Sequence, residues 1–254
     1  MFSSAEKQLL YKVANAPVLG FPYPHILVHD VFPADFYVAL LRHLPPASAY
    51  KSLKALGRVH GNYPDTRVVL PLTPDEVAQL DEPYRSFWNE TASWLLGGAF
   101  GITVLQRFAP FLRQRFEDPA AVSYHHESLV IQDRTNYALG PHTDSPAKVI
   151  SFLFYLPSDA SRPHLGTSMY LPKDPTYTCL GGPHHGFENF DRLLTMPYVP
   201  NTLFGLMKTP NAFHGVEPIA EAGIERALML YDVKVQAGSG PAPVQPKAAT
   251  RFSF

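Results

Sequence analysis

Hydrophobic and polar residues alternate along the second half of the chain with a period of two. The alternation is clearest between Val122 and Ile131, and this period is typical of a β-strand whose two faces meet different surroundings. Val149 to Leu156 is a compact apolar run that ends at Pro157, as a buried strand would. Three further strands are predicted at residues 168–171, 202–207 and 226–235.

The first half carries its hydrophobic residues at helical spacing. Phe36, Leu40 and Leu44 recur every four residues and predict one helix, which the prolines beginning at Pro45 would end. Two further helices are predicted, from about residue 83 to the Gly97–Gly98 pair and around residues 105–116. We expect Pro110 to break or restart the last of them.

Helices followed by strands indicate an α+β domain in which the helices support a strand-built core. The predicted domain covers residues 1–236, with a helical part over about 1–118 and a barrel over about 119–236. Residues 237–254 form a Gly/Pro/Ala-rich tail outside this domain. The 26 prolines agree with many short strands and turns, because proline continues neither a helix nor a central strand. A compact barrel is a natural host for a small-molecule pocket.

The composition is that of a folded protein with little net charge. Of the 254 residues, 46% are hydrophobic and 17% are charged, the formal net charge is -1 and no run of like charges occurs. We therefore expect no nucleic-acid partner. No apolar stretch approaches the roughly 18 residues that cross a bilayer, so we expect no membrane association. The N-terminus lacks the pattern of an export signal and Cys179 is the single cysteine, which together predict a cytoplasmic protein without an intrachain disulfide.

His142 and Asp144 lie two residues apart between two predicted strands. In an extended segment both side chains point to the same face, where one metal ion could bind them. The pair alone does not distinguish a metal site from two hydrogen-bonded residues at the end of a strand. His214 follows another predicted strand and would complete the two imidazoles and one carboxylate of a non-haem iron(II) site. Zinc accepts the same ligand types, so the ligands alone leave the metal open.

Arg226 opens a predicted strand on which it shares a face with Leu228 and Leu230. A guanidinium on an apolar strand face is costly unless an anion meets it. A carboxylate bound through two parallel hydrogen bonds is its natural partner. Arg226 is therefore a candidate for binding an acidic ligand, and the alternative is a structural ion pair within the protein.

The order of these residues resembles that of the 2-oxoglutarate/Fe(II)-dependent dioxygenases, particularly their prolyl-4-hydroxylase-like branch. His142-x-Asp144 is followed by His214 about 70 residues later and by Arg226 twelve residues further. The matching part covers roughly residues 120–235. Two segments are similar to the family's usual sequence motifs, Tyr137-Ala-Leu-Gly-Pro-His-Thr-Asp and Ala212-Phe-His-Gly-Val.

The resemblance implies a double-stranded β-helix (jelly-roll) core with the metal at one mouth. It also implies that His142, Asp144 and His214 hold Fe(II), and that 2-oxoglutarate and O2 are co-substrates from which succinate and CO2 are formed. Arg226 would bind the distal carboxylate of 2-oxoglutarate. Relatives that halogenate usually have Gly or Ala at the position of Asp144, so the resemblance favours hydroxylation.

The sequence departs from the family pattern at one point. Many relatives have Ser or Thr two residues after this arginine, where the chain has Leu228. A tyrosine hydroxyl could share the carboxylate instead, and Tyr155 and Tyr137 are the candidates.

Two other functions fit parts of the pattern. A cupin-like zinc or manganese hydrolase or isomerase could be built on a similar barrel, although such sites commonly use more histidines and do not need Arg226. A non-catalytic binding protein could keep the fold, but a decayed site would be expected to lose one of its four residues. The sequence does not determine the substrate, which could be a small molecule or a side chain, or the oligomeric state.

Two pairs of adjacent histidines, His125–His126 and His184–His185, also suggest metal binding. Adjacent residues in a strand point to opposite faces, so neither pair is expected to chelate an ion. We expect them to be polar surface, with one member lining the pocket as the alternative. The loop at 181–190 is either a lid over the substrate or a plain connection.

Overall fold

A computed structural model describes residues 3–59, 63 and 65–236 of the chain. The predicted tail at 237–254 lies outside the described residues. Within them, no single helix has the length and apolar character of a membrane span. One pair of helices, Tyr84–Leu95 with Ala99–Leu112, meets these criteria only when counted together across a 42° bend.

The described part of the chain contains five α-helices. They are α1 (Ser3–Asn15), α2 (Ala34–Arg42), α3 (Pro74–Val77), α4 (Tyr84–Leu95) and α5 (Ala99–Leu112). Helices α2 and α4 were predicted, and α5 was predicted in part, whereas α1 and α3 were not. The expected break at Pro110 is wrong, because α5 continues through this residue. Pro110 lies in the last turn, so it removes only one hydrogen bond near the end of the helix.

Strands in the described residues form two antiparallel sheets, and all five predicted strands are present. The strands are β1 (His25–His29), β2 (Lys51–Ser52), β3 (Arg67–Pro71), β4 (Tyr124–Arg134), β5 (Leu139–His142), β6 (Lys148–Tyr155), β7 (Ser168–Pro172), β8 (Phe190–Thr195), β9 (Thr202–Met207), β10 (His214–Val216) and β11 (Glu225–Val235). The larger sheet has the order β1-β9-β6-β11-β4-β3-β2, and the smaller has the order β5-β10-β7-β8.

Strands β4 to β11 build a double-stranded β-helix. The larger sheet takes β4, β6, β9 and β11, while the smaller sheet takes β5, β7, β8 and β10, so the chain passes repeatedly from one sheet to the other. This is the strand arrangement of a jelly roll. The predicted α+β chain with a jelly-roll core is confirmed.

Strands β1 and β3 come from the part of the chain that was expected to be helical. Strand β1 pairs with β9, and β3 pairs with β4. Both strands have five residues with three apolar residues at the centre, which is too short to show a period. Their strand conformation depends on the neighbouring barrel strands more than on local sequence. The first 118 residues therefore add three strands to the larger sheet, as well as the helices.

The larger sheet separates two hydrophobic cores. On β11, Ala227, Met229 and Tyr231 belong to the core that the helices share. Leu228 and Leu230 alternate with them and point into the barrel. Full burial of a large apolar side chain contributes about 1.5–3 kcal/mol. The helix-side core thus holds the sheet in place, while the barrel side borders a cavity.

Candidate metal centre

The two predicted histidine ligands lie side by side on neighbouring strands of the smaller sheet. His142 is the last residue of β5 and His214 is the first residue of β10, and the antiparallel register pairs them directly. Their ring centroids are 4.4 Å apart. Asp144 follows β5 by two residues, and the three side chains each offer a ligand atom within 4.8 Å of the others. The fold thus brings together three residues that lie up to 72 positions apart in the sequence.

Both imidazoles are oriented with one nitrogen free to bind a metal. Nδ1 of His142 lies 3.0 Å from the carbonyl oxygen of Gly140, and Nδ1 of His214 lies 3.0 Å from that of Ala212. Because a carbonyl oxygen can only accept, each Nδ1 carries the proton and each Nε2 presents a lone pair. Burial lowers the pKa of both histidines, so both rings are neutral at pH 7, as metal binding requires.

Lys148 and Ser151 hold the carboxylate of Asp144. The Nζ of Lys148 lies 3.1 Å from Asp144 Oδ1 and 3.1 Å from Asp232 Oδ2. The hydroxyl of Ser151 is within hydrogen-bond distance of the same two carboxyl groups, at 3.0 Å and 2.7 Å. Burial alone would raise the pKa of Asp144, but the charge of Lys148 and the neighbouring imidazoles lower it below its usual range. Asp144 is therefore an anion at neutral pH.

Two neutral imidazoles and one carboxylate fit a divalent metal. Three protein ligands of this kind leave the remaining coordination positions open, as in non-haem Fe(II) sites. Zn(II) accepts the same donors. Across the part of the chain that the structure describes, this is the one cluster of His, Cys, Asp or Glu side chains close enough together to hold a metal ion.

The triad lines a cavity of about 730 Å³ inside the barrel. Leu129, Leu153 and Leu230 give this cavity an apolar wall, because the alternation of their strands points them into the barrel. Gly181 and His184, from the connection between β7 and β8, also line it. The volume is sufficient for a small organic ligand.

The adjacent histidines do not chelate as pairs. Nδ1 of His126 lies 2.8 Å from the hydroxyl of Tyr231 on the helix side of the sheet, whereas His125 is exposed. His184 lines the cavity, and its ring centroid lies 4.7 Å from that of His142. The loop at 181–190 therefore borders the site, and its motion as a lid stays a prediction.

Arg226 is buried inside the barrel with a protein carboxylate as its partner. Its Nη1 lies 2.6 Å from Asp133 Oδ2, and its Nε donates to the carbonyl oxygen of Leu165. Its Nη2 lies 3.4 Å from the hydroxyl of Thr167. The expected anion is present, but Asp133 supplies it, and the sequence did not single out this residue. The direct contact of Arg226 with a co-substrate stays a prediction.

A second arginine, Arg67, was missed from the sequence. It is the first residue of β3, lines the cavity and binds the same carboxylate of Asp133 through two parallel hydrogen bonds of 2.6 Å and 2.8 Å. Its guanidinium carbon lies 4.3 Å from the centre of the Tyr137 ring. Because β3 was not predicted, Arg67 had no strand face to which it could be assigned. The sequence offered one signal, which is that this charged residue directly precedes the apolar run Val68-Val69-Leu70.

The two candidate tyrosines lie against different arginines. The ring of Tyr155 is 5.7 Å from the guanidinium carbon of Arg226, and its hydroxyl accepts a hydrogen bond from the backbone N–H of Thr167 at 3.0 Å. Tyr137 contacts Arg67 instead. Both rings are fully buried, and burial raises the pKa of both hydroxyls. Both are therefore neutral phenols, and their predicted sharing of a ligand carboxylate stays a prediction.

No family model matches this sequence, and no curated protein matches it. Among solved structures, a prolyl hydroxylase from Trichoplax adhaerens, in complex with a hypoxia inducible factor peptide fragment, aligns with a TM-score of 0.56. The identity is 12% over 90% of each chain. This similarity shows that the chain shares the fold of that prolyl hydroxylase.

Two further solved structures align less closely. A prolyl-4-hydroxylase from Pseudomonas putida gives a TM-score of 0.49 at 14% identity, over 90% of this chain and 100% of that chain. An oxidoreductase of the 2OG-Fe(II) oxygenase family from Burkholderia pseudomallei gives 0.47 at 11% identity, over 91% of each chain.

Proposed function

We propose that this chain is a 2-oxoglutarate- and Fe(II)-dependent oxygenase that hydroxylates its substrate and releases succinate and CO2. The observation that carries the proposal is the set of two neutral imidazoles and one carboxylate that lines a cavity within a double-stranded β-helix. This donor set is the one that non-haem Fe(II) oxygenases use. A prolyl hydroxylase shares the fold.

His142, Asp144 and His214 would hold the metal. When bound, Fe(II) would couple the oxidative decarboxylation of 2-oxoglutarate by O2 to the hydroxylation of a substrate C–H bond. The backbone carbonyls that accept from Nδ1 keep the imidazoles in the tautomer that binds metal. Lys148 keeps the carboxylate of Asp144 ionised and fixed in position. The protein therefore keeps the two imidazoles neutral and the carboxylate anionic, with all three on one side of the metal.

The remaining positions at the metal would face the cavity, where the co-substrate and substrate bind. The apolar wall that includes Leu153 and Leu230 would limit the entry of water near the reacting atoms. An arginine at this cavity would provide the positive, hydrogen-bonding end for the distal carboxylate of 2-oxoglutarate. This end fixes which way round the co-substrate enters.

Hydroxylation is the outcome that the ligand set favours. Asp144 provides a third protein ligand, and a halogenating site would need that position for a halide. Each turnover would convert one substrate C–H bond, one O2 and one 2-oxoglutarate into one C–OH group, one succinate and one CO2. The substrate is a small molecule or a side chain that reaches into the barrel.

The test is an anaerobic titration of the Fe(II)-loaded protein with 2-oxoglutarate. A visible metal-to-ligand charge-transfer band is expected, followed by succinate formation when O2 is admitted. His214→Ala is expected to abolish both signals because it removes one metal ligand. Absence of the band together with absence of 2-oxoglutarate binding would reject the proposal.

The same protein loaded with Zn(II) or Mn(II) separates the alternatives. Hydrolysis or isomerisation of a substrate by these metal forms, without any consumption of 2-oxoglutarate, would favour a cupin-like metalloenzyme. Binding of a ligand without turnover in any metal form would favour a non-catalytic protein.

A further inference from the structure

We infer that Arg67, rather than Arg226, makes the direct contact with the distal carboxylate of 2-oxoglutarate. Arg226 then acts as a positioning residue, because it holds Asp133 in the orientation that fixes the guanidinium of Arg67. The inference rests on the proposed function. It assigns the carboxylate-binding role to a strand outside the double-stranded β-helix.

Arg226 is enclosed by the protein, and three of its five N–H donors face protein acceptors. Its side chain has no exposed surface, and it does not line the cavity. Nη1 binds Asp133, Nε binds the carbonyl of Leu165, and Nη2 lies near the hydroxyl of Thr167. A ligand carboxylate could reach this guanidinium only if the side chains between it and the cavity moved aside.

Arg67, unlike Arg226, lines the cavity that the triad also lines. Its side chain is 12% exposed. Nε and Nη2 bind Asp133, and Nη1 has no hydrogen-bond partner among the described residues. The ring of Tyr137 lies against the guanidinium at 4.3 Å. The side chain is therefore fixed by Asp133 on one edge and by Tyr137 on one face, with donors left over for a ligand.

The charges at this end of the cavity do not balance. Arg67 and Arg226 share the single carboxylate of Asp133, so one positive charge is in excess. Among the described residues that line the cavity, Asp144 and Asp232 share Lys148. Glu127 lies between Arg58 and Lys234, which are 31% and 20% exposed. The excess positive charge at Arg67 and Arg226, whose side chains are 12% and 0% exposed, is therefore the more buried one.

An excess buried cation is costly unless an anion meets it. A dicarboxylate with a keto group at one end supplies two negative charges at separate positions. One end would bind at the triad, and the other would neutralise Arg67. The charge-assisted hydrogen bonds formed there are stronger than neutral ones.

The experiment combines a change in the protein with a change in the ligand. Fe(II)-loaded protein is titrated anaerobically with 2-oxoglutarate and with 2-oxopentanoate, in which a methyl group replaces the distal carboxylate. Both keto acids report through the charge-transfer band, so no turnover is needed. We expect the wild type to prefer 2-oxoglutarate by about ten- to hundredfold, the size expected for hydrogen bonds to a charged group.

Arg67→Met is expected to reduce this preference to within about threefold, with the affinity for 2-oxopentanoate unchanged. Arg58→Met is the matched control, because Arg58 also lines the cavity but pairs with Glu127. This control is expected to keep the preference of the wild type. Arg67→Gln keeps a hydrogen-bond donor for Asp133 and provides a second variant if Arg67→Met does not fold. The affinity for Mn(II), measured in each variant, verifies that the metal site is intact.

Retention of the preference in both Arg67 variants, together with its loss in Arg226→Lys, would overturn the inference and assign the contact to Arg226. Failure of the wild type to bind either keto acid would instead reject the proposed function itself. Binding of both keto acids with equal affinity by the wild type would show that no arginine recognises the distal carboxylate.

Discussion

The Nζ of Lys148 lies 3.1 Å from the Oδ1 of Asp144, so a half-buried cation contacts the one carboxylate of the metal triad. The same Nζ lies 3.1 Å from Asp232. One lysine therefore compensates two carboxyl groups at the wall of the cavity. A divalent ion bound at the triad would bring further positive charge to the same carboxylates.

Replacement of Lys148 by Met is expected to destabilise the metal-free protein by about 3–5 kcal/mol, because two buried carboxyl groups lose their cation. Saturating Mn(II) is expected to raise the melting temperature of this variant more than that of the wild type, since the metal replaces the missing charge. Thermal unfolding with and without Mn(II) measures both effects. Lys51→Met is the control, because Lys51 forms an ion pair with Glu76 at a more exposed site, where the loss is expected to stay below about 1 kcal/mol. Equal gains from Mn(II) in Lys148→Met and wild type would contradict this account.

His214→Ala and His184→Ala are expected to separate metal ligation from simple proximity. Both residues lie close to His142, with ring-centroid distances of 4.4 Å and 4.7 Å, but His214 alone of the two belongs to the triad. The affinity for Mn(II) or Fe(II), measured by calorimetry, should fall by at least about 100-fold in His214→Ala. Loss of a residue that only orients a metal ligand costs up to about 100-fold, and loss of a ligand itself should cost at least as much. His184→Ala should stay within a few-fold of the wild type. A similar loss in both variants would place His184 among the ligands.

Asp133→Asn is expected to destabilise the protein strongly, because two buried arginines lose their common anion. The expected loss is about 3–5 kcal/mol of unfolding free energy, measured by urea denaturation. Asp65→Asn is a suitable comparison, since Asp65 pairs with Lys54 and its side chain is 70% exposed. That change should cost less than about 1 kcal/mol. Excess 2-oxoglutarate should recover part of the loss in Asp133→Asn if the ligand carboxylate reaches the arginine pair, and no recovery would indicate that it does not.

Gly205→Ala tests the packing between β9 and the neighbouring strand. A Cβ at this position would overlap with the ring of Phe152, which is fully buried and has no room to move aside. The expected loss is about 1–3 kcal/mol from overpacking. At Gly182 an added Cβ would meet nothing closer than 3.9 Å, so Gly182→Ala should change stability by no more than about 0.5 kcal/mol. Equal stabilities of the two variants would show that the sheet adapts at Gly205.

The sequence predicted five of the eight barrel strands, and the triad, because these leave local signals, whereas β5, β8 and β10 were not predicted. Strands such as β6 and β11 are long enough to show an apolar run or alternation. His142 and Asp144 are two residues apart, which suffices to place them on one face. His214 could be added from its position between two strands, but its pairing with His142 depends on the register of β5 and β10, which no single segment encodes.

The contacts of Arg67 and Arg226 with Asp133 could not be predicted in the same way. The apolar face around Arg226 indicated that an anion must be near, and the sequence offered no way to choose between a ligand and an internal acid. Asp133 lies at the end of β4 and Arg67 at the start of β3, and they meet only because these two strands pair. Strand β3 has five residues, and its conformation is set by β4 beside it. Contacts of this kind follow from tertiary structure and leave no pattern in either segment alone.

Anomalous diffraction from crystals grown anaerobically with Fe(II) would locate the metal. We expect one anomalous peak at the iron edge, about 2.0–2.2 Å from Nε2 of His142, Nε2 of His214 and a carboxylate oxygen of Asp144, a range typical of nitrogen and oxygen ligands. We also expect that no fourth protein side chain reaches the ion. A peak elsewhere, or a fourth ligand such as His184 in the position left for the co-substrate, would contradict this assignment of the ligands.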